Sequence, residues 1–145
     1  NGRTSVEQLI EQLKRHEGVK THAYKDHLGY VTVGVGRCLE EGVGVGLSEK
    51  EIDYLLLNDI SRCAEELEGA FKWFAPLDPV RRNAMINLCF NVGLPRLKGF
   101  VKALAAMEAQ DYEEAAKEFY DSRWAKQVGN RAIEVCGMIR TGQYP

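Results

Sequence analysis

Residues 17–36 read Glu17-Gly18-Val19-Lys20-Thr21-His22-Ala23-Tyr24-Lys25-Asp26-His27-Leu28-Gly29-Tyr30-Val31-Thr32-Val33-Gly34-Val35-Gly36. A glutamate closes an amphipathic helix, and nine residues later an aspartate enters a stretch rich in Tyr, Thr and Val with turn chemistry at Leu28-Gly29. That stretch, 22–36, reads as a β-hairpin. Two carboxylates held on different elements around a turn are what acid–base cleavage of a glycosidic bond needs. One acid must hold its proton while the other does not, and different surroundings can push two carboxyl pKa values apart.

Outward from this segment the pattern is helical. Thr4-Ser5 followed by Glu7-Gln8 gives a capping-box start. Val6, Leu9, Ile10 and Leu13 then share one helical face, and Gly18 suits the stop. Gly42, Gly44 and Gly46 mark a loop or a short third strand. Ser48 with Glu51 is a second capping box, opening a long amphipathic helix to about residue 70. Pro76 breaks the chain, Asp78 and Pro79 are the N-cap and first position of a helix to about Val92, and Gly93 with Pro95 ends it. That helix is apolar on most sides, as a helix at the centre of a bundle is. Helices at about 100–107, 112–120 and 130–140 follow, separated by Asp111, Ser122 and Gly129-Asn130.

Composition narrows the class. A chain of 145 residues with 45% hydrophobic content makes one ordinary domain or two small lobes. No apolar run reaches the roughly 20 residues that span a bilayer. Charges throughout residues 7–20 leave no visible signal peptide. Cys38, Cys63, Cys89 and Cys136 are widely spaced and mostly in apolar helical positions, so the expectation is free buried thiols. His16, His22 and His27 cluster early, but no cysteine or paired carboxylate joins them at ligand spacing, so no metal is expected. The glycines of 34–36 and 42–46 fit neither a dinucleotide nor a phosphate loop. The formal charge of −2 hides segregation: residues 40–68 carry −7, 69–104 carry +5, 105–121 carry −5 and 122–145 carry +3. The basic blocks either are solvated helix faces or border a groove facing an anionic polymer.

The string E-G-x(5)-Y-x-D-x-x-G-x-x-T-x-G-x-G, from Glu17 to Gly36, resembles the catalytic segment of the phage-type lysozymes. Leu77 to Asn87 is similar to that family's central core helix. Ser122-Arg123-Trp124, Asn130-Arg131-Ala132 and Arg140-Thr141-Gly142 look like its C-terminal signature. These blocks stand in the family's order and span most of the chain. The chain departs from the family in its low basicity, in Asn91 where Gln is frequent, and in Arg37 where His is frequent.

The resemblance implies a mostly helical α+β fold in two lobes, forming a single domain over residues 1–145. The N-terminal lobe would cover about 17–60, with a small antiparallel sheet, and a connecting helix would run over about 48–70. The C-terminal helical lobe would cover about 71–145, with the first helix, 5–16, packing on it. It implies hydrolysis of the β-1,4 bond between N-acetylmuramic acid and N-acetylglucosamine in peptidoglycan, with inversion and without cofactor or metal. By resemblance Glu17 protonates the leaving oxygen, Asp26 positions or deprotonates a water, and Thr32 holds that water. Phe90 and Asn91 would contact sugar, and Arg131, with Asn87 nearby, would support Glu17. The implied partner is the glycan strand, met as a monomer, with no nucleic acid and no membrane insertion. Manufacture in a bacterial host cytoplasm and action on the wall follow. Two other readings stay open: a non-hydrolytic wall-binding domain of the same fold, and an engineered family member.

Overall fold

The computed structural model of the chain describes residues 2–145. The fold is α+β and mostly helical, with a three-stranded antiparallel sheet in the order β1-β2-β3. The chain divides into two compact units, 1–54 and 55–145.

The first unit begins with α1 (Ser5–Glu17). The Thr4 hydroxyl accepts the Glu7 N–H, and the Glu7 carboxylate accepts the Thr4 N–H, so two of the orphan donors at the helix start are satisfied reciprocally. Gly18 stops the helix, its N–H returning to the Lys14 carbonyl. The apolar stripe is present, but α1 buries none of its residues: Val6, Leu9, Ile10 and Leu13 remain 43–63% exposed. The hairpin follows as β1 (Lys20–Lys25) and β2 (Val31–Gly34), with Tyr24 opposite Thr32 and a register irregularity between Lys20 and Tyr24. The third strand, β3, is Arg37–Cys38, directly after the Gly34–Gly36 turn and ahead of the Gly42–Gly46 segment where the glycine spacing allowed one. Those later glycines form turns; Gly44 lies so close to the Cys38 backbone that no Cβ fits there.

Helix α2 (Glu49–Ala70) runs across the unit boundary and opens at the expected capping box. Ser48 Oγ accepts from the Glu51 N–H at 3.2 Å, and Glu51 Oε1 accepts from the Ser48 N–H at 2.8 Å.

The second unit holds the hydrophobic core. Helix α3 (Pro79–Val92) starts with Asp78 accepting from the Arg81 N–H and Pro79 at the first position, where its missing N–H is harmless. It buries Ala84, Met85, Leu88 and Cys89. After it come α4 (Leu94–Leu97), α5 (Val101–Glu108), α6 (Tyr112–Tyr120), α7 (Arg123–Val128) and α8 (Asn130–Thr141). Of these, α4 and α7 lie where the sequence suggested only breaks. Helix α8 packs on α3, α6 and α7, and α6 packs on α5. The core joins Leu67 of α2 and Phe74 to Met85, Leu88, Met107, Phe119, Trp124 and Ile139. Arg81 links α3 to the C-terminus of α8: its guanidinium donates to the Ile139 and Arg140 carbonyls at 2.6 and 3.2 Å and lies over the Tyr112 ring. A cation there satisfies helix-end carbonyls that have no intrahelical partner. All four cysteines are free, and Cys63, Cys89 and Cys136 are buried. No described helix is long and apolar enough to cross a membrane.

Candidate active site

In the first unit the hairpin organises the three residues singled out for chemistry. Glu17 is the last residue of α1, with an exposed side chain. Its carboxylate comes against the turn after β2: a Cβ added to Gly36 would lie 2.9 Å from Glu17 Oε2 and 3.2 Å from its Cδ. A side chain at that position would displace the carboxylate from where it stands. Gly36 also has φ +69°, a left-handed conformation that L side chains rarely adopt.

Asp26 directly follows β1 and opens the turn. Its N–H donates to the Tyr30 carbonyl, and its own carbonyl accepts from Gly29. The carboxylate Oδ1 accepts from the Leu28 and Tyr30 N–H groups, both at 2.9 Å. This is the short-range bonding for which Asp is favoured in turns. Both bonds fall on Oδ1, and Oδ2 takes none from the described residues. The carboxylate is thus oriented by backbone while one oxygen stays available.

Thr32 is buried, at 3% exposure, in the central strand, opposite Tyr24 on β1 and Cys38 on β3. Its hydroxyl donates to the Tyr30 carbonyl at 2.9 Å. With the proton committed, what Oγ1 offers a further partner is its acceptor lone pairs. Tyr30 therefore meets both residues, donating its N–H to Asp26 and accepting through its carbonyl from Thr32.

A second network fixes the far side of the sheet. Arg37 donates to the Gly46 carbonyl at 3.1 Å and pairs with Glu51 at 2.7 Å. The Arg37 guanidinium, and after it the Ser48 N–H, hold the Glu51 carboxyl down from the ordinary 4.5 to about 2. The sequence marks Arg37 only as a replacement for a frequent histidine. Its bond to a residue 14 positions on is a tertiary fact with no local signal.

In the second unit, Asn87 and Phe90 of α3 and Arg131 of α8 come together with Leu56, Ile60, Asn83 and Ile86 around a groove of about 370 Å³. Arg131 Nε donates to Asn87 Oδ1 at 2.8 Å, and a terminal nitrogen donates to the Asn87 carbonyl at 3.3 Å. The expected proximity of Arg131 and Asn87 is therefore present. Phe90 is 44% exposed, leaving an aromatic face free at the groove. Asn91 is outside this lining; its Oδ1 accepts from the Trp124 indole N–H at 2.7 Å, which fixes the amide and leaves its two protons and one oxygen lone pair for another partner. The apolar lining residues Leu56 and Ile60 belong to the stripe of α2, which sequence reasoning assigned to the helix pattern alone.

The phage lysozyme family matches residues 14–141. The chain is 31% identical to probable T4-type lysozyme 1 of Dictyostelium discoideum, over 94% of this chain and 96% of that one. It is 26% identical to an endolysin of Acyrthosiphon pisum secondary endosymbiont phage 1, over 90% and 87% of the two chains. It is also 28% identical to the pre-baseplate central spike protein Gp5 of Enterobacteria phage T4, over 92% of this chain but 28% of that protein. The match covers nearly the whole chain, including the helix end, hairpin and helical core described above: the chain belongs to the phage lysozyme family.

Proposed function

We propose that this protein is a lysozyme that hydrolyses the β-1,4 bond between N-acetylmuramic acid and N-acetylglucosamine in peptidoglycan, with inversion at the anomeric carbon. The observation that carries the reading is the convergence on one hairpin: Glu17 reaches the Gly36 turn of the same three-stranded sheet that carries Asp26 and Thr32. Membership of a lysozyme family and likeness to T4-type lysozymes and endolysins support a glycosidase-type hydrolase acting on the cell wall.

In this reading Glu17 gives its proton to the leaving glycosidic oxygen. A water donates one hydrogen to Thr32 Oγ1, whose own proton is taken by Tyr30, and the other to Asp26. That pairing turns an oxygen lone pair toward the anomeric carbon while Asp26 removes the proton. Phe90 offers an aromatic face to a sugar ring, a favourable stacking surface. Arg131, held by Asn87, is assigned the supporting role by family resemblance alone. Asn91 would contact substrate through its amide group, whose orientation Trp124 fixes.

The test is Glu17→Gln, which keeps shape and removes the acid. Lysis of permeabilised Gram-negative cells, followed by turbidity, should fall by at least the ~10²-fold typical of general acid catalysis. A variant retaining more than half the wild-type rate removes Glu17 from the mechanism, whereas absence of lysis by the wild type itself favours a non-hydrolytic wall-binding domain. Stereochemistry tests the water. An inverting site separates its carboxyl groups by roughly 6.5–9.5 Å, against about 5–5.5 Å in a retaining one. NMR immediately after cleavage should show the α-anomer first. An initial β-anomer would mean a covalent intermediate on Asp26 and would withdraw the role given to Thr32.

A further inference from the structure

Away from the hairpin, the second unit brings together three ligand-type side chains that the proposed chemistry does not use. Cys63 and Glu66 stand one helical turn apart on α2, and Cys89 faces them from α3. Their two sulfurs and a Glu66 carboxylate oxygen all lie within 4.8 Å of one another. Cys63 and Cys89 are 3% and 2% exposed, and the Glu66 side chain is 41% exposed, so the cluster is dry on one side and open on the other. We propose that Cys63, Glu66 and Cys89 form a binding site for one thiophilic divalent cation of the zinc class, with water completing its shell.

The geometry suits such an ion. Zinc takes sulfur at about 2.3 Å and carboxylate oxygen at about 2.0–2.2 Å, in a tetrahedron whose neighbouring ligands stand somewhat under 4 Å apart. Closing the present spacing asks for shifts of about an ångström in the ligand atoms. A disulfide, with sulfurs at about 2.05 Å, would use the same two cysteines but leaves the approach of Glu66 without a purpose. Two thiolates and a carboxylate exceed the charge of a divalent ion by one. Arg62 stands 4.0 Å from Glu66 but is shared with Asp59 at 2.7 Å, so the loaded site keeps one negative charge on its exposed side, where solvent screens it. On binding, each thiol gives its proton to solvent and forms a metal–sulfur bond, the carboxylate replaces a water of the hydrated ion, and no electrons are transferred. The ion would then tie α2 to α3. No spacing rule reveals this set, because Cys63 and Cys89 are brought together only by the packing of two helices.

The experiment is a cobalt titration of the full-length, reduced, chelator-treated protein. One equivalent of Co²⁺ should produce a thiolate-to-cobalt charge-transfer band in the near ultraviolet, and Zn²⁺ should displace it. Cys63→Ser and Cys89→Ser should abolish the band, while Cys38→Ser and Cys136→Ser should keep it. Glu66→Gln, on the exposed side of α2 and harmless to packing, should weaken affinity by at least about tenfold, the lower end of the loss found when even an outer-shell partner is removed. Absence of the band at saturating Co²⁺ overturns the site. So does a band that survives in folded Cys63→Ser or Cys89→Ser, an unchanged affinity in Glu66→Gln, or a Cys63–Cys89 disulfide recovered from the purified protein. Lysis activity is not a readout here, so the outcome is independent of the proposed function.

Discussion

Gly36 joins backbone conformation to Glu17, the proposed catalytic acid, more directly than any other residue of the hairpin. Its φ of +69° is costly for an L side chain, and a Cβ there would press on the Glu17 carboxylate. Gly34, two residues earlier, has φ +71° and open space where a Cβ would stand, so the two positions separate strain from contact. Alanine at either should destabilise the fold by about 1–2 kcal/mol through the left-handed backbone alone. The contact adds little to that figure, because the end of a glutamate side chain can swing away. It acts on turnover instead, since a displacement near 1 Å can reduce a rate by about 10²-fold. Gly36→Ala should therefore lower kcat far more than Gly34→Ala at matched loss of thermal stability. Equal losses of kcat would mean that the Gly36 contact does not position Glu17.

At the scale of elements, the starts of helices are the most legible features and their tertiary ties the least. Thr4 with Glu7, Ser48 with Glu51, and Asp78 before Pro79 each follow a rule that acts within three residues, and each is made in the structure. The same locality explains what escapes. Helices α4 and α7 have four and six residues, too few for an apolar period, and Pro95 reads as a terminator although it stands in the first turn of α4. Among the proposed site residues, the placement of Asp26 and Thr32 is legible because it depends on one hairpin, whereas the pairing of Asn87 with Arg131 joins residues 44 apart. The bond between Arg37 and Glu51 is of the second kind and has a pH signature. The folded Glu51 carboxyl is held at about 2, below its ordinary 4.5, so its contribution is fully present above about 4.5 and is lost as pH falls through about 2. The pair is solvent-exposed, which makes the effect small and salt-sensitive. Hydrogen exchange of the β2 and β3 amides should be slower in wild type than in Glu51→Gln at neutral pH, and the two should converge as pH falls from about 4.5 to about 2. A difference that persists at the acid end would mean that the Arg37 pairing is not its source.

For the whole molecule, the asymmetry is in burial. Every residue of the described hydrophobic core lies in the unit from 55 to 145, while Thr32 is the buried residue of the unit from 1 to 54. The cysteines sample both. Cys38 sits half-buried in β3, whereas Cys63, Cys89 and Cys136 are enclosed among the helices. The attacking species in thiol chemistry is the thiolate, and burial suppresses it twice, by blocking access and by disfavouring the charge. Burial, and after it the neighbouring Cys63 thiol, push the Cys89 thiol up to about 12; burial alone pushes Cys136 up to about 11. In chelator-containing, non-reducing buffer the denatured chain should titrate four thiols, as the scattered apolar positions of the cysteines lead one to expect. The native protein should divide them into one fast thiol and three slow ones. The fast thiol should disappear in Cys38→Ser, because its reaction needs no opening of the helical core. The slow thiols can react only when that core opens, so their rate should rise with mild denaturant in step with exchange of the α3 and α8 amides. Four fast thiols in the native state would show that the helical unit is open in solution, and a denatured count of two would show a disulfide where the structure holds free thiols.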